Sequence, residues 1–250
     1  MMRTLLLKEG WKKLVDNALI IAFLFSLLFA AIRGFGMLGP SSFRPLIPLG
    51  FVLMMALPFI FLTKAGRQQI GFVKSQRAGH YINAILFGIA APSVCFVAGL
   101  LLFGAGPDNW FITIRNYYFA QVPSDGVPPA QLFFMVTIPA VIFSPIGEEI
   151  FFRGFLQEAL SSQFSLKKSM VLESLLFGFV HIFHHGLVRV DGQIHFYFWS
   201  GMIWVFLMFC TAYGFAQLRK NSGSILPAIV AHALFNLVMN VYIFSFLAMR

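Results

Sequence analysis

Several apolar runs in this chain reach the ~20 residues a helix needs to cross a bilayer, and no other feature constrains the fold as much. In lipid every backbone N–H and C=O must find an internal partner, so a spanning chain is helical or a closed barrel. The runs show no strand-like alternation and read as helices. Composition points the same way: 59% of the 250 residues are hydrophobic and 11% are charged, whereas a soluble domain carries roughly a quarter charged. No low-complexity linker divides the chain. The expectation is all-α: one polytopic transmembrane helical bundle, a single integral membrane domain over residues 1–250.

Taken in order, the runs predict spans near 14–32, 45–62, 81–103, 129–160, 168–185, 196–218 and 224–249. That makes seven, or eight if the aromatic loop around Trp110–Phe119 inserts. The first run is too long for the core of a signal peptide and lacks a small-residue cleavage site, so it reads as an uncleaved helix. The fourth exceeds one crossing, and Pro139 and Pro145 predict a kink in it. Residues 186–193 read as a polar loop. Cys95 and Cys210 lie in apolar runs without Cys-x-x-Cys spacing and read as buried free thiols.

The net charge is +9, but no soluble domain is present to hold nucleic acid, and none is expected as a partner. Basic connectors that face anionic lipid explain the charge better. Arg3, Lys8, Lys12, Lys13, Lys64, Arg67, Lys74, Arg77, Lys167, Lys168, Arg219 and Lys220 fall on one side of this topology. Arg33, Arg44, Arg115, Arg189 and Arg250 fall on the other. The positive-inside rule then places the N-terminus in the cytoplasm of a plasma (inner) membrane.

Against this apolar background the polar residues at depth stand out, because ionised groups there are costly and usually functional. Glu148, Glu149 and Arg153 lie in the fourth run. Glu149 and Arg153 are four apart on one helical face, acid before base, which favours an ion pair. Glu148 points about 100° away and is expected to be left unpaired, as a candidate general base. In the fifth run Phe177 and His181 share a face, Gly178 permits close approach of a neighbour, and Glu173 is expected to orient the imidazole. In the seventh, His232 and Asn236 share a face and suit an oxyanion site. At about 1.5 Å per residue, His232 would sit ~12 Å and His181 ~20 Å from the cytoplasmic helix ends. One cavity opening toward the cytoplasmic half would collect all four side chains. For each residue the plain alternative is packing or an interhelical hydrogen bond.

These residue types favour hydrolysis by an activated water. No serine accompanies them, no aspartate lies at membrane depth, and His-Glu-x-x-His is missing. Glu148, with His181, would take the proton, and His232 with Asn236 would hold the oxyanion. Glu148, His181 and His232 could instead hold a divalent metal such as zinc, leaving a position for water. A metal-free mechanism is equally open.

Glu-Glu-x-x-x-Arg (Glu148, Glu149, Arg153), Phe-x-x-x-His (Phe177, His181) and His-x-x-x-Asn (His232, Asn236) occur in that order on successive membrane helices. The pattern resembles the CAAX-protease and bacteriocin-processing (CPBP or Abi) family, which includes the type II CAAX prenyl endopeptidases. The resemblance covers Val136 to Val241 and marks 129–250 as the catalytic core. Residues 1–128 are left as spans without a family motif. It implies an intramembrane endopeptidase acting on a membrane-associated or lipid-modified protein or peptide. Glu148 and His181 would activate water, His232 and Asn236 would support the oxyanion, and Glu149, Arg153 and Phe177 would give structural support. Family members have been described both as metalloproteases and as glutamate-dependent enzymes. Two other classes are weighed: a non-catalytic scaffold, immunity protein or transporter, and a membrane di-iron oxygenase whose histidine box would be His181-x-x-His184-His185.

Overall fold

A computed structural model describes residues 5–14, 17–120, 127–190 and 192–245. The expectations attached to Arg3, Lys13 side-chain placement, Arg250 and part of the 104–128 loop fall outside what is described.

The chain is an all-α polytopic bundle. A short helix α1 (Glu9–Leu14) precedes α2 (Ala18–Leu38), which starts where the Asn17 side chain accepts from the Leu19 N–H. α3 (Leu46–Phe61) returns, and α4 (Lys64–Gln69) is capped by Thr63 on the Gly66 N–H. α5 (Ala78–Phe103) crosses again. α6 (Trp110–Phe119) is capped by Asn109. α7 (Pro129–Glu149) opens on proline at its first position, where the missing N–H would be unpaired anyway. It continues as a π-helical turn over Ile150–Leu156 and then α8 (Gln157–Leu160). α9 (Leu166–Val180) ends in a 3-10 turn at His181–Phe183. A hairpin of β1 (Leu187–Val190) and β2 (Gln193–Phe196) follows. α10 (Phe198–Ser222) stops on Gly223 at φ +68°, a left-handed cap suited to glycine, and α11 (Leu226–Ser245) completes the described chain.

Among the described residues six helical segments are long and apolar enough to cross a membrane: 18–38, 41–61, 78–103, 129–160, 198–222 and 226–245. Within each, between 22 and 44% of the apolar window is buried. The remainder presents side chains such as Leu86 and Leu101, the latter 81% exposed. Apolar exposure on that scale has lipid as its natural solvent. The fifth expected span is α9, at 15 residues shorter than a full crossing. The aromatic segment forms the ten-residue α6, packed into the bundle with Trp110 to Ile114 buried and too short to be an eighth span.

Three local features differ from expectation. α7 carries Pro139 and Pro145 without interruption, and the helical geometry changes just after the paired glutamates, in the π turn. Residues 186–193 contribute to the antiparallel hairpin, whose register is Leu187 with Phe196 through Val190 with Gln193; two four-residue strands are too short to signal through alternation. Cys95 is buried as expected, but Cys210 is exposed, because it lies on the outer face of α10.

The apolar core has two parts. One joins α2 and α3 to the π turn and Phe177. The other joins α5, α6, α10 and α11. Two glycines set the spacing where these layers meet. A Cβ on Gly147 would come within 2.8 Å of the Phe51 carbonyl oxygen, so α7 and α3 touch backbone to backbone beside Glu148. A Cβ on Gly178 would come within 2.8 Å of the Val205 oxygen, which brings α9 onto α10 beside His181.

Candidate active site

Glu148 and Glu149 end α7 with their side chains buried, at 1% and 0% exposure. Their separation around the helix sends them to different partners. Glu149 Oε1 lies 3.1 Å from Arg153 Nη1 and accepts from His232 Nδ1 at 2.8 Å. Arg153 also stands 3.8 Å from Glu173 Oε1 through its Nε, and its guanidinium lies 4.3 Å from the centre of the Phe177 ring. Two carboxylates and an aromatic face thus surround one fully buried cation, which is how a charge at this depth is tolerated.

Glu148 Oε1 accepts from Arg33 Nη2 on α2. The expectation that Glu148 is unpaired is therefore corrected. The apolar run was read as ending at Ile32, which put Arg33 in an external turn. The helix instead continues to Leu38 and turns Arg33 inward, where it is 6% exposed. The other oxygen, Oε2, has no hydrogen-bond partner and lies 3.9 Å from His232 Nε2.

His232 is stacked on Phe215 with ring centres 5.0 Å apart and meets the edge of Phe177. With Nδ1 on Glu149, its Nε2 faces Glu148. One turn on, Asn236 donates one amide N–H to the Ala140 carbonyl at 2.8 Å. Another turn on, Asn240 donates to Thr137 Oγ1 at 3.1 Å and accepts from the Tyr118 hydroxyl at 3.4 Å. The sequence pattern stopped at Asn236; the four-residue spacing of 232, 236 and 240 was the signal for the third member.

His181 sits in the 3-10 turn after α9. Its Nδ1 pairs with the Phe177 carbonyl at 2.7 Å, and its ring stacks on Phe177 at 4.2 Å. The Trp204 indole N–H donates to the His181 carbonyl. Glu173 does not orient this imidazole, as had been expected; it pairs with Arg153 and Ser174. Eight helical positions leave residues 173 and 181 about 80° apart, enough to aim them at different neighbours. His184 packs near His181, with ring centres 4.9 Å apart. His185 points away, bonded to Thr113 at 3.0 Å and Ser200 at 2.9 Å through its two ring nitrogens. Burial lowers its pKa to about 4, so it stays neutral, and neither nitrogen is left to serve a histidine box.

A cavity of about 400 Å³ joins these helices. Arg33, His181, His184, His232 and Asn236 all contribute to its wall. Glu148 is not in the wall but immediately behind it, between Arg33 and His232. The lining comes from the last turns of α2, the first of α3, α6, the middle of α7 and of α10, the end of α9 and α11 from His232 to Ile243, and its weight lies toward the end of the bundle where α2 finishes and α3 begins. The basic connectors around α4 and at Lys167, Lys168, Arg219 and Lys220 lie at the opposite end. The expectation had joined basic connectors and cavity mouth on one side, because depth was counted from one end of each helix without knowing which wall was open. The structure separates them.

Of the three side chains expected as zinc ligands, Glu148 has one oxygen on the Arg33 guanidinium, while His181 and His232 have Nδ1 held by the Phe177 carbonyl and by Glu149 and keep Nε2, as histidines that ligate a metal through Nε2 also do. Among the described residues no three His, Cys, Asp or Glu side chains are grouped to hold one ion.

Fold and cavity together define an integral membrane protein with a polar site enclosed by apolar helices. Residues 130–238 match the family model described as type II CAAX prenyl endopeptidase Rce1-like, which supports the resemblance to the CAAX-protease family over that stretch. The match begins at the start of α7 and ends just beyond Asn236, so it spans all three motifs but not Arg33. No curated protein and no solved structure matches the chain.

Proposed function

We propose that this protein is an intramembrane endopeptidase that hydrolyses a membrane-associated peptide with a water activated by Glu148. The observation that carries this reading is the free Oε2 of Glu148, 3.9 Å from His232 Nε2 behind the wall of a largely apolar cavity that Arg33, His181, His232 and Asn236 also line, in a chain that matches a CAAX-protease family model.

Glu148 takes a proton from the water as its oxygen bonds to the carbonyl carbon. The negative charge that develops on the carbonyl oxygen needs donors fixed in advance. Asn236 has a second amide N–H beyond the one held by Ala140. His232, held by Glu149 through Nδ1, offers Nε2–H when protonated. When the C–N bond breaks, the proton held by Glu148 passes to the leaving nitrogen. His181, fixed through Phe177, presents Nε2 as acceptor for the same water. No step runs through a metal, and cleavage is expected to survive chelators.

The Arg33 pair favours a second reading, in which Glu148 is a structural charge and the protein a scaffold. Comparative proteomics of host membranes separates the two. A Glu148→Gln strain should accumulate the same uncleaved membrane polypeptides as a strain lacking the protein. If those polypeptides are processed normally with Glu148→Gln in place, the hydrolytic reading is wrong.

A further inference from the structure

The two ends of the bundle differ in charge and in access. At one end lie Lys8 and Lys12 near α1, Lys64 and Arg67 on α4, and Lys74 and Arg77 before α5. Lys167, Lys168, Arg219 and Lys220 join them there. This end is tied together: Arg219 pairs with Glu158 at 3.3 Å and donates to the Gln69 carbonyl, and Ser224 donates to the Val73 carbonyl. The other end carries Arg44, Arg115 and Arg189, the hairpin, and exposed Trp199 at the start of α10. Such asymmetry in basic connectors sets orientation during insertion and puts the richly basic end in the cytoplasm.

The cavity belongs to the other end. From His232 the polar stripe along α11 runs through Asn236 and Asn240 to Tyr118 on α6, about 12 Å at helical rise. Toward the basic end α11 offers Ala231, Ala228 and Pro227, all buried, and no polar path. Along α11 the polar path from Glu148 and His232 therefore leads away from the basic end.

We propose that the active-site cavity is entered from the non-cytoplasmic face, so that the substrate is an exported, membrane-attached polypeptide whose scissile bond lies outside the cytoplasm. The substrate half of this statement rests on the hydrolytic reading above; the sidedness does not.

Single cysteines in a carrier with Cys95→Ala and Cys210→Ser test it. Ser42→Cys lies beside the mouth, Met37→Cys in the wall, and Gln76→Cys at the basic end. With a membrane-impermeant maleimide on intact cells, Ser42→Cys and Met37→Cys should label, at least tenfold more than Gln76→Cys. Gln76→Cys should label only after permeabilisation. The reverse pattern, or labelling of Met37→Cys from the cytoplasmic side alone, overturns the proposal. In the strain comparison, cleavage sites lost with Glu148→Gln should map to non-cytoplasmic segments, and cytoplasmic sites overturn the substrate class. If no site is lost, the hydrolytic reading fails and the substrate class with it, while the labelling still decides which face the cavity opens on.

Discussion

The pair formed by α2 and α3 and the region from α7 to α11 contribute unequally to the site. The later region supplies both glutamates, Arg153, both histidines and Asn236, and its charges compensate locally: Arg153 is four residues from Glu149 and on the neighbouring helix from Glu173. The earlier region supplies Arg33, which meets Glu148 across 115 positions of sequence, and Arg44, which lines the cavity. The difference teaches that a motif can be complete as a pattern and incomplete as a charge balance. Glu149 and Arg153 lie in the closed interior with no exposure. Arg33 lines the cavity and Glu148 lies just behind it, so their contact can open to admit a water.

The sharpest way to break the contrast is Glu148→Gln. It keeps the shape and removes the base, and should lower cleavage roughly 100- to 10,000-fold with little change in thermal unfolding in detergent. A comparable loss of stability would place Glu148 with the structural cluster. Next is Arg153→Met, which strands Glu149 and Glu173 in the core. It should cost about 3–5 kcal/mol, seen as loss of folded protein on solubilisation.

Arg33→Met should cost less, about 1–3 kcal/mol, because the cavity gives Glu148 access to water. Adding Glu148→Gln should restore part of that loss, a coupling of about 0.5–3 kcal/mol in a double-mutant cycle of unfolding. Strict additivity would mean that the Arg33–Glu148 pair contributes nothing. An effect of similar size is expected for Gly178→Ala, where the added Cβ meets the Val205 oxygen at 2.8 Å. Separating α9 from α10 should cost about 1–3 kcal/mol and shift His181, so activity should fall further than the melting temperature alone explains.

The helical bundle was legible because bilayer thickness fixes helix length and the absence of water fixes backbone pairing. Glu149 with Arg153 was legible because four residues is one helical turn, and the same spacing placed His232 above Asn236. Where a partner lay on another helix, the pattern gave no guidance. Glu173 was assigned to His181 by proximity in sequence, and packing gave it to Arg153. The hairpin after His185 was too short to announce itself.

The sequence by itself determined the membrane bundle, the order of its helices and the identity of the polar residues at depth, because each of these follows from composition or from spacing within one helix. Only the tertiary structure decided that Arg33 answers Glu148, that His232 stands between the two glutamates, and that Glu173 pairs with Arg153. Those relations depend on which faces of separate helices meet, and that is set by close packing at residues such as Gly147 and Gly178, with no local signal in the chain to foretell it.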